Sequence, residues 1–230
     1  MSVEKDREVK LADLVEGLAP LRLTGDPHVF ITGLAYHSGL VRPGDLFAAI
    51  EGFVRDGHDF IPEALRRGAA ALLVREGREP APEVARGVPV ISSPDTRLAL
   101  ALLSDRFYGH PSGELQLVGV TGTNGKTTTA FLVEKMAAAQ GLKTGLLGTV
   151  TYRIGDREYP VGRTTPESVD LQRLLREMAD EGCRLASMEV SSHSLVLRRV
   201  DGCDFRVAVF TNLTRDHLDF HRSMEDYFSS

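Results

Sequence analysis

The stretch Gly122-Thr-Asn-Gly-Lys-Thr-Thr128 decides the fold of this chain. The segment before it, Leu115–Thr121, is apolar and rich in β-branched residues, which predicts a buried strand. The segment after it, residues 127–140, is rich in Ala, Leu, Met, Glu and Lys, which predicts a helix. A strand, a glycine-containing loop and a helix in this order are typical of a P-loop.

A P-loop of this composition is suited to bind the phosphate groups of a nucleotide. Gly122 and Gly125 let the backbone bend so that its N–H groups surround phosphate oxygens at a helix N-terminus. Lys126 is placed to reach the β- and γ-phosphates of a nucleotide, and the Thr127 hydroxyl to bind Mg²⁺. The sequence therefore predicts a nucleotide site.

The composition of the 230 residues is ordinary for a globular protein, with 42% hydrophobic and 26% charged residues. A formal net charge of -5 argues against a nonspecific nucleic-acid binder. Cys183 and Cys203 form no CxxC pair, which favours reduced cysteines over a zinc site or a disulfide framework. The charged residues 1–10 are unlike a secretory signal, and no apolar run reaches membrane-spanning length. We expect a cytoplasmic protein with no membrane insertion.

The chain is expected to be an α/β protein with two domains, residues 1–111 and 112–230, divided near His110-Pro-Ser-Gly113. Repeated β-α-β patterns predict parallel, helix-covered sheets with right-handed crossovers. The predicted strands are residues 29–34, 46–50, 69–74, 88–91, 115–121, 144–150, 185–190 and 206–210, with a hairpin over 151–161. The predicted helices are residues 61–68, 95–108, 127–140 and 166–181.

Three polar clusters follow predicted strands of the second domain, where open α/β sheets place their ligands. Arg163-Thr-Thr-Pro166 predicts a helix start with Thr165 as its N-cap, which leaves ligand contact open. Glu189-Val-Ser-Ser-His-Ser194 offers a carboxylate for Mg²⁺. In residues 211–221, Asp216 and His217 are candidates for function, whereas Asp219 and His221 fit a solvated helix face equally well.

These motifs resemble the Mur ligases, and specifically the MurE type. The P-loop, Arg163–Pro166, Met188-Glu-Val-Ser-Ser-His-Ser-Leu195 and Asn212-Leu-Thr-Arg-Asp-His-Leu-Asp219 occur in the family's order. In the first domain, Ser38, the segment 41–47 and Gly57-His-Asp-Phe-Ile61 resemble the family's UDP-binding domain. The resemblance covers essentially all of the chain. It implies a small N-terminal α/β UDP-binding domain followed by a P-loop, mostly parallel-sheet ATP-binding domain.

The resemblance implies an ATP-dependent amide ligase of peptidoglycan synthesis. Such ligases add a diamino acid, meso-diaminopimelate or lysine, to UDP-N-acetylmuramoyl-L-alanyl-D-glutamate through an acyl phosphate, with ATP and Mg²⁺. By the same resemblance Lys126 and His217 are catalytic, and Thr127, Glu189 and His217 surround the metal. The family pattern assigns ATP to Gly122, Thr123, Asn124, Gly125, Lys126, Thr127 and Thr128. It assigns the UDP-muramoyl dipeptide to Ser38, Thr164, Thr165, Ser191 and Arg199. We expect a monomer.

The length departs from the family pattern, since family members are roughly twice as long and carry a further amino-acid-binding domain. We therefore expect an incomplete ATP domain with an exposed hydrophobic sheet edge, and no turnover from this chain alone. Two alternatives stay open. One is another ligase with this P-loop, such as a folylpolyglutamate or cyanophycin synthetase, although the long segment before the P-loop argues against it. The other is a noncatalytic P-loop nucleotide-binding module, which would bind ATP but no UDP-muramoyl peptide.

Overall fold

A computed structural model describes residues 7–230 of the chain. The chain divides into two compact units between Phe107 and Tyr108, a few residues before the predicted division. Unit 1 ends at Phe107 and unit 2 begins at Tyr108, and each has its own hydrophobic core. None of the helices in the described residues is both long and apolar enough to cross a bilayer.

Unit 1 is built on a five-stranded sheet. Its strands and those of a small two-stranded sheet are β1 (Val9–Lys10), β2 (Arg22–Thr24), β3 (Phe30–Ile31), β4 (Gly33–Ala35), β5 (Asp45–Ala48), β6 (Ala71–Arg75) and β7 (Val90–Ser93). Its helices are α1 (Leu11–Val15), α2 (Ile61–Arg66), α3 (Pro82–Ala85) and α4 (Thr96–Phe107). The five strands lie in the order β2-β7-β6-β5-β4, and only β2 runs antiparallel to its neighbour.

The predicted strand over residues 29–34 was wrong as one element. Phe30–Ile31 pairs with β1, whereas Gly33–Ala35 belongs to the five-stranded sheet, so the chain changes sheets at Thr32. The Thr32 N–H donates to the carbonyl of Gly44 at this point. The other predicted strands and helices of unit 1 form within a few residues of their expected bounds, whereas β1, β2, α1 and α3 had not been predicted.

Unit 2 contains a six-stranded sheet in the order β11-β10-β9-β12-β8-β13. The strands are β8 (Gln116–Thr121), β9 (Thr144–Leu147), β10 (Tyr152–Ile154), β11 (Arg157–Tyr159), β12 (Leu185–Glu189) and β13 (Val207–Phe210). The helices are α5 (Lys126–Ala139), α6 (Ser168–Asp180), α7 (Ser192–Val196) and α8 (Met224–Ser229). Strands β9, β12, β8 and β13 are parallel, and β10 and β11 form the predicted antiparallel hairpin. The α/β fold class is thereby confirmed.

Helices cover both faces of the central strands. Helix α5 packs on β8, β9 and β12 around Val118, Val120 and Leu146. The opposite face buries Leu171, Leu174, Leu175 and Met178 of α6. Because both faces are covered, β9 and most of β8 and β12 are buried at consecutive residues rather than at alternate ones. Because β8, β12 and β13 run parallel to one another, their carboxyl ends meet at one edge of the sheet.

Strand β13 lies at the outer edge of this sheet and pairs only with β8. Val207 and Phe210 are 48% and 58% exposed, in contrast to the buried residues of β8 and β12. The sheet edge is thus hydrophobic and open, as expected from the sequence.

Candidate functional site

The loop between β8 and α5 has the backbone of a phosphate cradle. Gly122 has a φ of 125° and Gly125 a φ of 87°, both in the region that favours glycine. A Cβ at Gly122 would clash with the Thr211 hydroxyl and lie 2.7 Å from the carbonyl oxygen of Asn212. Gly125 is the N-cap of α5, and no side chain caps this helix. The first N–H groups of a 14-residue helix are therefore left for an anion.

The segment after β13 holds this loop in place. The Asn212 carbonyl oxygen accepts from the Thr123 N–H at 2.8 Å, and the Asn212 Oδ1 from the Asn124 N–H at 3.1 Å. Thr211 Oγ1 donates to the carbonyl of Asn124 at 2.8 Å. Thr214 N–H donates to Thr123 Oγ1 at 3.0 Å. Two neighbouring strand ends thus fix the loop before any ligand binds.

Lys126 lies over the mouth of the loop. Its Nζ donates to the carbonyl oxygens of Gly122 at 2.7 Å and Thr123 at 3.0 Å. The ammonium is therefore held at the cradle rather than in solvent, where it can exchange two carbonyl partners for phosphate oxygens. Thr128 is exposed on the same helical turn.

Glu189 ends β12 beside this loop and is only 1% exposed. Its Oε2 accepts from Thr127 Oγ1 at 2.9 Å and from Thr149 Oγ1 at 3.3 Å. Its Oε1 accepts from the Thr149 N–H at 2.8 Å. Three donors therefore satisfy the hydrogen-bonding capacity that this buried carboxylate needs. The predicted pair of Thr127 and Glu189 is therefore in direct contact.

This donor set fits Mg²⁺ only in part. A hydroxyl and a carboxylate are oxygen ligands of the kind that Mg²⁺ prefers. However, residues 7–230 contain no group of three or more His, Cys, Asp or Glu side chains that could hold a metal. A cation at Thr127 and Glu189 would therefore draw further ligands from water and nucleotide phosphates, which is the usual situation for Mg²⁺.

The predicted substrate residues Thr164, Thr165 and Ser191 form one cluster behind Glu189. Thr165 is 1% exposed, and its hydroxyl donates to the carbonyl of Glu189 at 2.9 Å and accepts from the Ser191 N–H at 3.2 Å. Thr164 Oγ1 lies 3.2 Å from Thr149 Oγ1. The prediction that Thr165 caps a helix was wrong, because α6 begins at Ser168 and Thr165 bonds across to β12 instead.

Arg199 is buried next to this cluster, at 7% exposure. Its Nη1 donates to the Thr165 carbonyl at 3.2 Å, and its Nη2 lies 2.8 Å from Glu167 Oε1. The ion pair fixes the guanidinium beside Thr165. A buried cation in this position suits a substrate carboxylate that approaches the same edge of the sheet.

His217 belongs to a different cluster, made of His193, His217, Phe220, His221 and Tyr227. The ring of His217 lies edge-on to His193 and Tyr227, with centroids 5.1 and 6.1 Å away. Within residues 7–230 it has no hydrogen bond or ion pair to Thr127 or Glu189. Burial, and then the positive charges of His217 and His221, lower the pKa of His193. The described residues thus show no direct bond between His217 and either of the other two predicted metal ligands.

His221 is not on a solvated face, contrary to one interpretation of the sequence. It is 2% exposed, stacks on Tyr227 at 4.7 Å and lies 2.9 Å from Ser192 Oγ through Nε2. The Tyr227 hydroxyl lies 3.1 Å from Thr123 Oγ1, which joins this aromatic cluster to the phosphate loop. Asp219 is exposed.

Ser38, in unit 1, is 6% exposed and begins a short 3-10 turn. Its hydroxyl donates to Glu63 Oε2 at 2.8 Å. The side chain is thus occupied within unit 1, and a ligand would have to replace Glu63 or use the backbone beside it.

Sequence reasoning missed Thr149 and Asn212 as members of the site. Thr149 follows β9 and Asn212 follows β13, so both leave the sheet at the edge that carries the phosphate loop. Their position after parallel strands was a usable signal. Their partners across the sheet depend on strand order, which the sequence alone does not give.

Two family models match the chain. The Mur ligase middle domain matches residues 120–230, and the model described as Mur ligase family, catalytic domain, matches residues 30–108. The boundary between the two matches falls in the same stretch as the boundary between the two units.

Curated proteins that are similar to this chain share one name with each other. A UDP-N-acetylmuramoyl-L-alanyl-D-glutamate--2,6-diaminopimelate ligase from Geobacillus thermodenitrificans is 52% identical over 197 residues, which are 86% of this chain and 39% of that protein. The ligase of that name from Geobacter sulfurreducens is 48% identical over 223 residues, 96% of this chain and 43% of that protein. The chain thus spans about two-fifths of the length of the curated relatives that it matches.

Solved structures agree with the sequence comparisons. A structure of a UDP-N-acetylmuramoyl-L-alanyl-D-glutamate--2,6-diaminopimelate ligase superposes with a TM-score of 0.80 at 30% identity, over 96% of this chain and 43% of that one. MurF from Acinetobacter baumannii superposes with a TM-score of 0.65 at 18% identity, over 96% of this chain and 45% of that one, which shows a shared fold. The chain belongs to the Mur ligase family.

Proposed function

We propose that this chain is the nucleotide-binding and UDP-sugar-binding part of an ATP-dependent amide ligase of peptidoglycan synthesis. The substrates are UDP-N-acetylmuramoyl-L-alanyl-D-glutamate and a diamino acid, and 2,6-diaminopimelate is favoured over lysine by the names of the relatives. Residues 1–111 would hold the UDP-sugar end and residues 112–230 the nucleotide. The reaction would proceed through an acyl phosphate on the D-glutamate side chain.

The observation that carries the proposal is the convergence of two sets of side chains at one sheet edge. The phosphate loop with Lys126 and Thr127 follows β8, and Glu189 with Ser191 follows the neighbouring strand β12. The hydrogen bond from Thr127 to Glu189 joins the two sets, and Thr165 bonds to the Glu189 carbonyl. A nucleotide phosphate and a substrate carboxylate could therefore be held side by side, as phosphoryl transfer between them requires.

The residues of the nucleotide half would act by position and charge. The open N-terminus of α5 and the Lys126 ammonium would bind the phosphates and offset their negative charge. Thr127 and Glu189 would hold Mg²⁺, and His217 is kept as a further predicted ligand. When bound, the metal supplies electrostatic stabilisation of the transferred phosphoryl group.

The residues of the substrate half would orient the acceptor. Thr164, Thr165 and Ser191 offer hydroxyls beside Glu189, and Arg199 offers a buried guanidinium. The Glu167–Arg199 pair would keep the guanidinium in place beside the substrate. Such prearranged donors act mainly by orienting the carboxylate for attack on the phosphate.

A noncatalytic nucleotide module is the competing function, and the separate unit 1 argues against it. In the ligase interpretation unit 1 binds the UDP-sugar. A module that binds only ATP would leave unit 1 without a ligand. A solved Mur-family relative, MurF from Thermotoga maritima, was crystallised with ADP, which supports a nucleotide at the shared fold.

The test is a calorimetric titration of the chain with UDP-N-acetylmuramoyl-L-alanyl-D-glutamate, with UDP as the comparison ligand. We expect binding at least tenfold tighter than that of UDP, about 1.4 kcal/mol, because the dipeptide adds contacts in unit 2. Arg199→Lys should remove most of this difference and leave the affinity for UDP unchanged. Equal affinity for the two ligands, from a chain that also binds ATP, would favour the nucleotide module.

A further inference from the structure

Unit 2 contains a cavity of about 420 Å³ that the proposed reaction does not use. It lies at the amino-terminal edge of the sheet, where β8, β12 and β13 begin, and so at the opposite end of these strands from the phosphate loop. Its volume is within the range of pockets that hold small molecules. Its walls come from residues 112–116 and from the residues just before β12 and β13.

Two arginines line this cavity, one on each side of β8. Arg184 directly precedes β12, and its carbonyl accepts from the Gln116 N–H at 2.9 Å. Arg206 directly precedes β13, and its N–H donates to the carbonyl of Leu117 at 2.9 Å. Both backbones are therefore fixed to β8, about 10 Å apart by the usual spacing of strands.

Both guanidinium groups are available for a ligand. The two side chains are exposed, and within residues 7–230 neither of them forms a hydrogen bond or an ion pair. The other positive charge near the cavity, Arg176, is already bound to Glu114 at 2.6 and 3.0 Å. Two fixed arginines without partners at one cavity are a recognition device for an anion.

The walls are held in place without the arginines. Ser112 is 3% exposed, and its hydroxyl accepts from the Asp204 N–H at 3.0 Å, which ties the segment before β13 to the segment before β8. Phe205 packs so closely on Gly119 that a Cβ there would lie 2.7 Å from its ring. A Cβ on Gly113 would meet nothing within 4 Å, so the backbone of this wall faces open space. The cavity is therefore a preformed feature of unit 2.

We propose that this cavity binds a small phosphate-bearing molecule through Arg184 and Arg206. A phosphate has enough oxygens to accept from two separate guanidinium groups, whereas a carboxylate satisfies only one fork. Asp204, also at the cavity, has a carboxylate with no partner in the described residues and opposes an anion. Glu114, the second carboxylate at the cavity, is bound by Arg176. Arg184 and Arg206 therefore face one carboxylate that no cation binds, Asp204, and the site is independent of the proposed ligase function.

The test uses inorganic phosphate as the probe and the ¹⁵N-labelled chain, followed by amide NMR. Phosphate also binds P-loops, so the two sites are separated by their own signals: Gly113 and Gln116 for the cavity, and Gly125 for the loop. We expect saturable shifts at Gly113 and Gln116 that acetate does not reproduce. Arg184→Ala with Arg206→Ala should weaken them at least tenfold and leave the Gly125 shifts unchanged.

Two further variants make the result decisive. Asp204→Asn should tighten phosphate binding at the cavity several-fold, because it removes the opposing charge. Arg173→Ala, which removes an equal charge from a partly exposed residue of α6, should leave it unchanged. The proposal is overturned if Gly113 and Gln116 do not shift in the folded wild-type chain. It is also overturned if the double variant keeps the shifts, or if Asp204→Asn weakens them.

Discussion

The hydroxyl of Thr127 donates a 2.9 Å hydrogen bond to Oε2 of Glu189, across the gap between the first turn of α5 and the end of β12. This bond joins the phosphate loop to the next strand of the sheet. It places an alcohol and a buried carboxylate where a nucleotide-bound cation would need them. The proposed cation site is formed by this pair.

Glu189→Gln should weaken Mg²⁺-dependent nucleotide binding by about tenfold or more, since the anionic metal ligand is lost. Affinity measured without Mg²⁺ should change little. The amide also turns a donor toward Thr127 or Thr149, so we expect stability to fall by about 1–3 kcal/mol. Calorimetry with ATP, with and without Mg²⁺, measures the first effect. Glu158→Gln, on the exposed hairpin, is the matched control.

Lys126→Ala should abolish measurable ATP binding, because within residues 7–230 no other side chain is held over the loop by the Gly122 and Thr123 carbonyls. Loss of these two bonds should lower the free energy of unfolding by only about 1–2 kcal/mol. Lys135→Ala removes an exposed lysine from the same helix and should keep wild-type affinity. Retention of ATP affinity in Lys126→Ala would show that the loop does not bind phosphate as described.

The two loop glycines should differ in their tolerance of alanine. Gly122→Ala places a Cβ against Thr211 and Asn212 at positive φ and should destabilise unit 2 by more than about 2 kcal/mol. Gly125→Ala meets no atom within 4 Å and should cost only the backbone penalty of about 1–2 kcal/mol. Urea denaturation of the two variants measures the difference. Equal destabilisation would contradict the close contact of Gly122 with Thr211 and Asn212, in the segment after β13.

The lowered pKa of Asp56 should make the stability of unit 1 depend on pH. Burial alone would raise the pKa of Asp56, but hydrogen bonds from the backbone and ring of His58 and from Arg78 outweigh it and lower the pKa to about 2, from 3.8. The unfolded chain therefore binds the proton more readily. This contribution to stability is complete above about pH 5 and is lost as the pH falls toward about 2.

Asp56→Asn should lower the stability of unit 1 at neutral pH and flatten its decline between about pH 5 and pH 2. Urea denaturation over this pH range measures both effects. Asp59→Asn, an exposed neighbour on the same turn, should keep the wild-type pH profile. An unchanged slope in Asp56→Asn would mean that other carboxylates carry the acid sensitivity.

The sequence predicted the second sheet well because its signals are local and strong. The β8, β12 and β13 segments are apolar runs, and the turn at Gly155 has the positive φ that its hairpin needs. Short elements were missed, such as β1 and α7, since two to five residues give little periodicity. The split of residues 29–34 between two sheets depends on long-range pairing, which no local pattern records.

The site was predictable residue by residue but not as an arrangement. The P-loop, Thr165 and Glu189 were identified from motifs, and in the structure they lie at one edge of the sheet. The Glu167–Arg199 ion pair and the hydrogen bond from the Asn124 N–H to Asn212 could not be predicted, because they depend on which residues become neighbours in the folded chain. The ring contacts of His217 with His193 and Tyr227 likewise depend on the folded chain, and the sequence did not predict them.

The most direct test of the central claim is amide NMR of the chain with UDP-N-acetylmuramoyl-L-alanyl-D-glutamate, compared with UDP alone. The account predicts shifts around Ser38 in unit 1 with both ligands. It predicts additional shifts at Thr164, Thr165 and Ser191 in unit 2 only with the muramoyl dipeptide. Identical shift patterns for the two ligands, with none in unit 2, would contradict a substrate site at the end of β12.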